Sequence, residues 1–171
     1  MKHWIALLRG INVGGRTIKM ADLCEALERV GLQNVETILQ SGNVTFDSPD
    51  GAARLKERLE ATLRERFGYD AKVQVLEHDQ LSKIIDAYPF GKADGSQHDY
   101  VIFLERGLER DLASEEVELG AQERVAPGDG VVYWRVGKGS TLTSAFGKLL
   151  TRARYRDFNT NRNLKTLRKL V

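Results

Sequence analysis

Hydrophobic and polar positions along this chain switch repeatedly between period two and period 3.6, and the switching outlines the fold. HWIALLRG, starting at His3, is apolar on both faces, Trp4, Ala6 and Leu8 on one and Ile5 and Leu7 on the other, which predicts a central strand covered on both sides. After INVGGRTIKM, the residues Leu23, Ala26, Leu27 and Val30 recur at helical spacing, and Gly31 stands where a left-handed C-terminal residue is expected. NVETILQ and NVTFDS, parted by Ser41 and Gly42, read as an antiparallel hairpin. Ser48 and Pro49 suit the N-cap and first turn of a helix whose apolar stripe is Ala52, Leu55, Leu59, Leu63 and Phe67 and whose end is Gly68. AKVQVLE, with Val73 and Val75 alternating, completes a β-α-β-β-α-β order, that of a ferredoxin-like plait.

Asp79 can cap a short helix in which Leu81, Ile84, Ile85 and Tyr88 share a face, before Pro89 stops it. GKADGSQ is a loop, and the junction between lobes falls between Glu77 and His98. The plan then repeats in element order, though not in letters. DYVIFLER is an apolar strand, residues 108–119 make a short acidic helix, and AQERVA and VVYWRV flank a turn at Pro127, Gly128, Asp129 and Gly130. One helix is expected through Leu142, Phe146, Leu149 and Leu150, and a last one through Leu164, Leu167 and Leu170. The fold class is therefore α+β: two consecutive ferredoxin-like plait lobes, residues 1–78 and 79–171, the second opening with the connecting helix. Helices of a plait cover one face of its sheet, yet Ile5, Leu7 and the run Val101–Leu104 are apolar on both. The lobes are expected to share an interface, or a second copy to cover the open sheet in a homodimer.

Composition narrows the setting. The chain has 171 residues, 42% hydrophobic and 29% charged, ordinary for a globular protein that folds without staples. Cys24 is the single cysteine, so an internal disulfide and a zinc ribbon are both excluded. The apolar run before Arg9 is too short for a signal-peptide core or a membrane span, and a cytoplasmic protein without membrane attachment is expected. Net charge is +2, but from Lys148 onward the basic residues oppose Asp157 alone, about +7 over that stretch. Such a tail reads first as a solvated helix face and second as a nucleic-acid site.

Chemistry-bearing patterns are few. GINVGGRT, Gly10 to Thr17, has phosphate-loop spacing after an apolar strand, but Arg16 replaces the lysine and the following hairpin breaks a parallel α/β plan. A weaker reading keeps Gly14 and Gly15 as a backbone turn toward a helix start, with Arg16 and Lys19 adding charge for an anion; the plain alternative is a β-α turn that needs positive φ. Cys24 lies among Leu23, Leu27 and Val30 without a histidine nearby in sequence, the pattern of core filling. His3, His78 and His98 are isolated, and no metal or other cofactor is expected. His98 and Asp99, adjacent on a strand, should turn to opposite faces. Tyr133, Trp134 and Arg135 could stack on a base or pack the second hairpin core. Near the end, Asn161 or Asn163 can cap the last helix, and with Arg162 they could also form a polar pocket.

ALLRGINVGG, Lys19 with Met20, QSGNVTF and NRNLKTLRKL together resemble the bacterial family catalogued as domain of unknown function 1697, over essentially the whole chain. The resemblance implies a tandem of two α-β plaits and no established activity. Where that family usually reads T-R-N-W-N-T, this chain has Asn161 to Thr166 without the aromatic residue, so Arg162, Asn163 and Thr166 are the matching positions.

The expectation for function is a non-catalytic binding module for an anionic ligand, nucleic acid included. Its candidate residues are Arg9, Asn12, Gly14, Gly15, Arg16 and Lys19, with Arg162, Asn163 and Thr166 from the C-terminal segment. The alternatives are a small enzyme acting on a phosphorylated metabolite, for which no base or nucleophile stands out, and a protein-interaction module pairing through an open sheet face.

Overall fold

The structure is a computed structural model that describes residues 1–12 and 14–171. It divides into two units, Met1–Leu81 with Lys169–Val171, and Ser82–Arg168. Each contains a four-stranded antiparallel sheet with the same spatial order, so the ferredoxin-like plait occurs twice.

In the first unit the sheet runs β2 (Gln33–Ile38), β3 (Asn43–Ser48), β1 (Lys2–Leu8), β4 (Val73–Glu77). Register explains why β1 is central. Trp4 lies opposite Phe46 and Ala6 opposite Val44 on one side, and Ala6 opposite Val75 and Leu8 opposite Val73 on the other. Period two therefore puts Trp4, Ala6 and Leu8 on one face, where Leu23 and Leu27 of α1 (Met20–Arg29) and Leu55, Leu59 and Leu63 of α2 (Ala52–Phe67) join them in one buried cluster. Ile5 and Leu7, on the opposite face, are also fully buried. Gly31 and Gly68 take the positive φ that ends each helix. Helix α2 starts later than Ser48 and Pro49 suggest, with Gly51 as N-cap, because Ser48 is held extended in β3 opposite Lys2. Its hydroxyl accepts the Asp50 N–H instead.

The second unit repeats the order as β6 (Arg124–Pro127), β7 (Val131–Gly137), β5 (Gln97–Leu104), β8 (Asn159–Asn163), preceded by α3 (His78–Asp86), which bridges the two stretches of chain. Ile102, Leu104, Val132, Trp134 and Val136 form the face packed by Leu112 of α4 (Leu108–Ser114) and by Phe146 and Leu149 of α5 (Ala145–Leu150).

Three expectations change here. Helix α4 stops at Ser114, where Glu115 turns extended and accepts the Tyr155 hydroxyl at 2.7 Å. Leu142 lies outside α5 and is 76% exposed, because Ser144 caps the helix by accepting the Gly147 N–H. Finally, the polar segment NTNRN is a strand, β8, preceded by the single turn α6 (Ala153–Arg156) and followed by α7 (Leu164–Leu167), with Leu170 beyond that helix. Its pairing with β5, Tyr100 opposite Asn163 and Val101 opposite Arg162, is supplied by the neighbour rather than by its own composition.

Candidate functional site

Among the candidates of the first unit, the glycine-rich loop after β1 is a closed turn. Asn12, at φ 57°, accepts the Ile18 N–H through Oδ1 at 2.7 Å and donates from Nδ2 to the Gln40 carbonyl at 3.3 Å, so its amide staples the loop to the β2–β3 connection. Gly14 and Gly15 sit at φ 65° and 79° with open space where a Cβ would be, so the turn geometry requires glycine and no neighbour does. The guanidinium of Arg16 lies 4.9 Å from the centre of the Tyr69 ring, and Lys19 precedes α1 without a side-chain cap. The Arg9 N–H donates to the Lys72 carbonyl at 3.1 Å. Val13 lies outside the described residues.

The C-terminal candidates belong to the second unit, and β8 separates them by alternation. Arg162 shares the face of Val101 and donates to the Asn161 carbonyl at 3.0 Å. Thr166 is half-buried in α7. Asn163 ends the strand, caps α7 by accepting the Lys165 N–H at 2.9 Å, and lines a cleft of about 620 Å³.

That cleft lies at the start of β5, and separate segments build it. The loop after α3 brings Lys92, β5 begins with Gln97 and His98, the residue after β7 is Lys138, and α7 with its C-cap brings Lys165 and Arg168. Lys138 is fixed by its N–H, which donates to the Ser96 carbonyl at 2.9 Å. None of the four cations has an acidic partner within ion-pair distance among the described residues, although two carboxylates, Asp86 and Asp99, also line the walls. Asp99 is already neutralised: Arg135 donates to it from Nε at 2.7 Å and Nη2 at 3.1 Å, and Tyr88 donates its hydroxyl at 2.6 Å. Burial first, then the Asp99 hydrogen bond, pushes the Tyr88 phenol well above its ordinary range, so it stays a protonated donor. What remains in the cleft is an excess of positive charge, four cations against the carboxylate of Asp86, beside two primary amides and an imidazole.

The four cations were not singled out as a group by sequence reading, since Lys92 and Lys138 are lone lysines in loops. Only the basic character of the tail hinted at Lys165 and Arg168. Elsewhere the tail residues are spent on the surface: Arg154 pairs with Asp111 at 2.5 Å and Arg156 with Asp157 at 3.6 Å.

Other candidates resolve into structure. All strand pairings described are antiparallel, so the GINVGGRT segment does not sit in the parallel β-α-β frame a phosphate loop needs. Trp134 and Tyr133 are buried, with their polar atoms bound to Glu123 Oε1 and the Ile84 carbonyl, and therefore pack the core rather than display rings. Cys24 packs partly buried against the first core. His3 and Asp47 form a pair that the sequence did not single out, Nδ1 to Oδ1 at 2.7 Å, with Asn34 donating to the other carboxylate oxygen. Those two hydrogen bonds, Asn34 first, hold the Asp47 carboxyl below the usual range. No group of three or more histidine, cysteine or carboxylate side chains converges to hold a metal ion among the described residues. No helix among them is long and apolar enough to cross a membrane.

Two sheets with strand order 2-3-1-4, each with helices on one face, define the class as a tandem of ferredoxin-like α-β plaits. The chain belongs to the family described as protein of unknown function (DUF1697), whose pattern matches residues 1–133. It is similar to the conserved bacterial protein SP0830 from Streptococcus pneumoniae, at 29% identity and a TM-score of 0.82 over 99% of this chain and 96% of that one. No curated protein matches it.

Proposed function

We propose that this protein is a non-catalytic binding module for an anionic ligand, and that the ligand occupies the cleft at the start of β5. The observation that carries the proposal is the convergence there of Lys92, Lys138, Lys165 and Arg168 without acidic partners among the described residues. Four like charges around one concavity repel each other, and an anion between them relieves that repulsion. Asn163, one of the residues expected from the sequence, lines the cleft, whereas Arg162 and Thr166, its neighbours in β8 and α7, do not. In the first unit, the loop carrying Arg9, Asn12, Gly14, Gly15, Arg16 and Lys19 is a second region of anion contact under this reading. A binding role is favoured over catalysis because Cys24 is packed against the core and Asp99 is consumed by Arg135 and Tyr88, away from His98.

Isothermal titration with sodium tripolyphosphate tests the proposal. Binding should weaken several-fold between 50 and 200 mM salt, as counterions compete for the same cations, and the exposed double variant Lys138→Gln/Lys165→Gln should weaken it at least tenfold. Arg16→Ala and Arg162→Ala test the candidate residues outside the cleft, each with a smaller loss expected. Absence of binding, or binding indifferent to the lysine pair, would overturn the assignment to this cleft.

A further inference from the structure

Resting on that reading, we infer that the cleft takes a phosphorylated small molecule of nucleotide size, with its phosphates on the four cations and its neutral part hydrogen-bonded by Gln97 and Asn163. Polymeric nucleic acid is disfavoured as the occupant.

Size is the first argument. A cleft of about 620 Å³ falls within the range of small-molecule sites, roughly 300–1,000 Å³, whereas a polymer needs an open track with cations spaced along it. The second argument is what the sheet withholds. Single strands are held by rings on which bases stack, yet Phe103, Tyr133 and Trp134 of the central strands are at most 2% exposed, and Tyr100 is half-buried against the second core. Tyr88 lines the cleft half-buried with its hydroxyl held by Asp99, so a polymer would find charge here without a row of stacking platforms.

The third argument concerns the polar groups that structure alone does not use. Gln97 opens β5 and its amide has no hydrogen-bond partner among the described residues, although it stands in the cleft. Asn163 commits Oδ1 to the Lys165 N–H, which leaves the Nδ2 amide donors available. The His98 ring, 5.9 Å from the centre of Tyr100, has no hydrogen-bond partner among the described residues either. A bare inorganic phosphate would satisfy the cations and leave these groups unused. A ligand that also carries a ring edge or hydroxyls would engage both sets, because primary amides donate and accept within one plane.

The cations also come from three parts of the chain, Lys92 from the loop after α3, Lys138 from the residue after β7, and Lys165 and Arg168 from α7 and its C-cap. An occupant with more than one phosphoryl group reaches cations from more than one of these segments, which points to di- and triphosphates over monophosphates.

The experiment compares ADP, pyrophosphate and a single-stranded 20-mer oligonucleotide by isothermal titration against the intact chain. ADP should bind at least tenfold more tightly than pyrophosphate. Gln97→Met with Asn163→Ser should abolish that difference while leaving pyrophosphate affinity within about twofold; serine retains an oxygen that can cap the Lys165 N–H, and thermal melting checks the fold. Lys138→Gln/Lys165→Gln should weaken both ligands. Equal affinity for ADP and pyrophosphate, or an ADP preference that survives the amide variant, overturns this inference while leaving the anion proposal standing. Tighter binding of the oligonucleotide than of ADP overturns it too. Failure of all three probes removes both.

Discussion

Arg135 and Asp99 meet face to face between neighbouring strands, Nε to Oδ1 at 2.7 Å and Nη2 to Oδ2 at 3.1 Å, with the arginine only 5% exposed. The same guanidinium donates to the Phe90 and Gly91 carbonyls at 2.8 Å each, so one side chain ties the loop after α3 to the sheet. Truncating either partner leaves a charge in the interior without its counterpart, a cost of about 3–5 kcal/mol. Arg135→Met and Asp99→Ala should each lower the urea midpoint sharply, and the double variant should lose much less than their summed effects. Additive losses would mean that the pair is not a coupled unit.

A second buried acid does a different job. Glu123, 7% exposed, accepts the Trp134 indole N–H and the Phe146 backbone N–H at 3.1 Å through the same oxygen, joining β7 to the start of α5. Each buried donor left without an acceptor costs about 1–3 kcal/mol. Glu123→Leu should therefore destabilise more than Glu123→Gln, and adding Trp134→Phe to Glu123→Leu should cost less than Trp134→Phe does alone. Identical denaturation curves for the leucine and glutamine variants would contradict the role given to the carboxylate oxygen.

Gly42 is irreplaceable for two physical reasons at once. Its φ is +75°, and a Cβ there would meet Ile11 Cγ2 at 2.6 Å and Leu8 Cβ at 2.9 Å. Its carbonyl also accepts the Leu8 N–H at 2.7 Å. Gly42→Ala should cost more than the roughly 1–2 kcal/mol of a left-handed alanine, since a core contact must shift as well. By contrast, Gly15→Ala meets open space and should cost only the backbone strain. Thermal melts of the two variants check this ordering.

Asp47 gives a pH dependence whose sign is fixed. Its carboxyl is held below the usual carboxylate range by hydrogen bonds from Asn34 and His3, so the folded state favours the ionised form more than the unfolded chain does. That contribution is present above the unfolded value and fades as pH falls through the lower folded one. The stability gap between the parent chain and Asp47→Ala should narrow as pH falls below about 4, as followed by urea titration at each pH. A gap that widens below that pH would refute the linkage.

Legibility in the sequence followed the strength of local periodicity. Strands β1, β3, β5 and β7 and helix α2 were readable because their apolar residues repeat over enough positions to leave one consistent burial pattern. The glycines at 31 and 68 marked helix ends correctly, since few other residues tolerate the left-handed conformation there. Strand β8 was not readable: NTNRN has poor strand propensity and asparagines suited to caps, and it is extended because β5 offers an open row of backbone hydrogen bonds. The cleft was unreadable for a related reason. Lys92, Lys138 and Lys165 are far apart in sequence, and a single exposed lysine carries no signal of its own.

What the sequence determined by itself is the tandem plait, through alternating periods of two and 3.6 written twice along the chain, and the positions where glycine must turn the backbone. Tertiary structure decided the rest. It made a strand of a polar segment, buried Arg135 and Glu123 with partners 36 and 23 residues away, and gathered lone lysines around one cleft. The division has a physical cause: burial patterns repeat within a few residues and can be read locally, whereas charge meets charge only after the sheet has brought distant segments together.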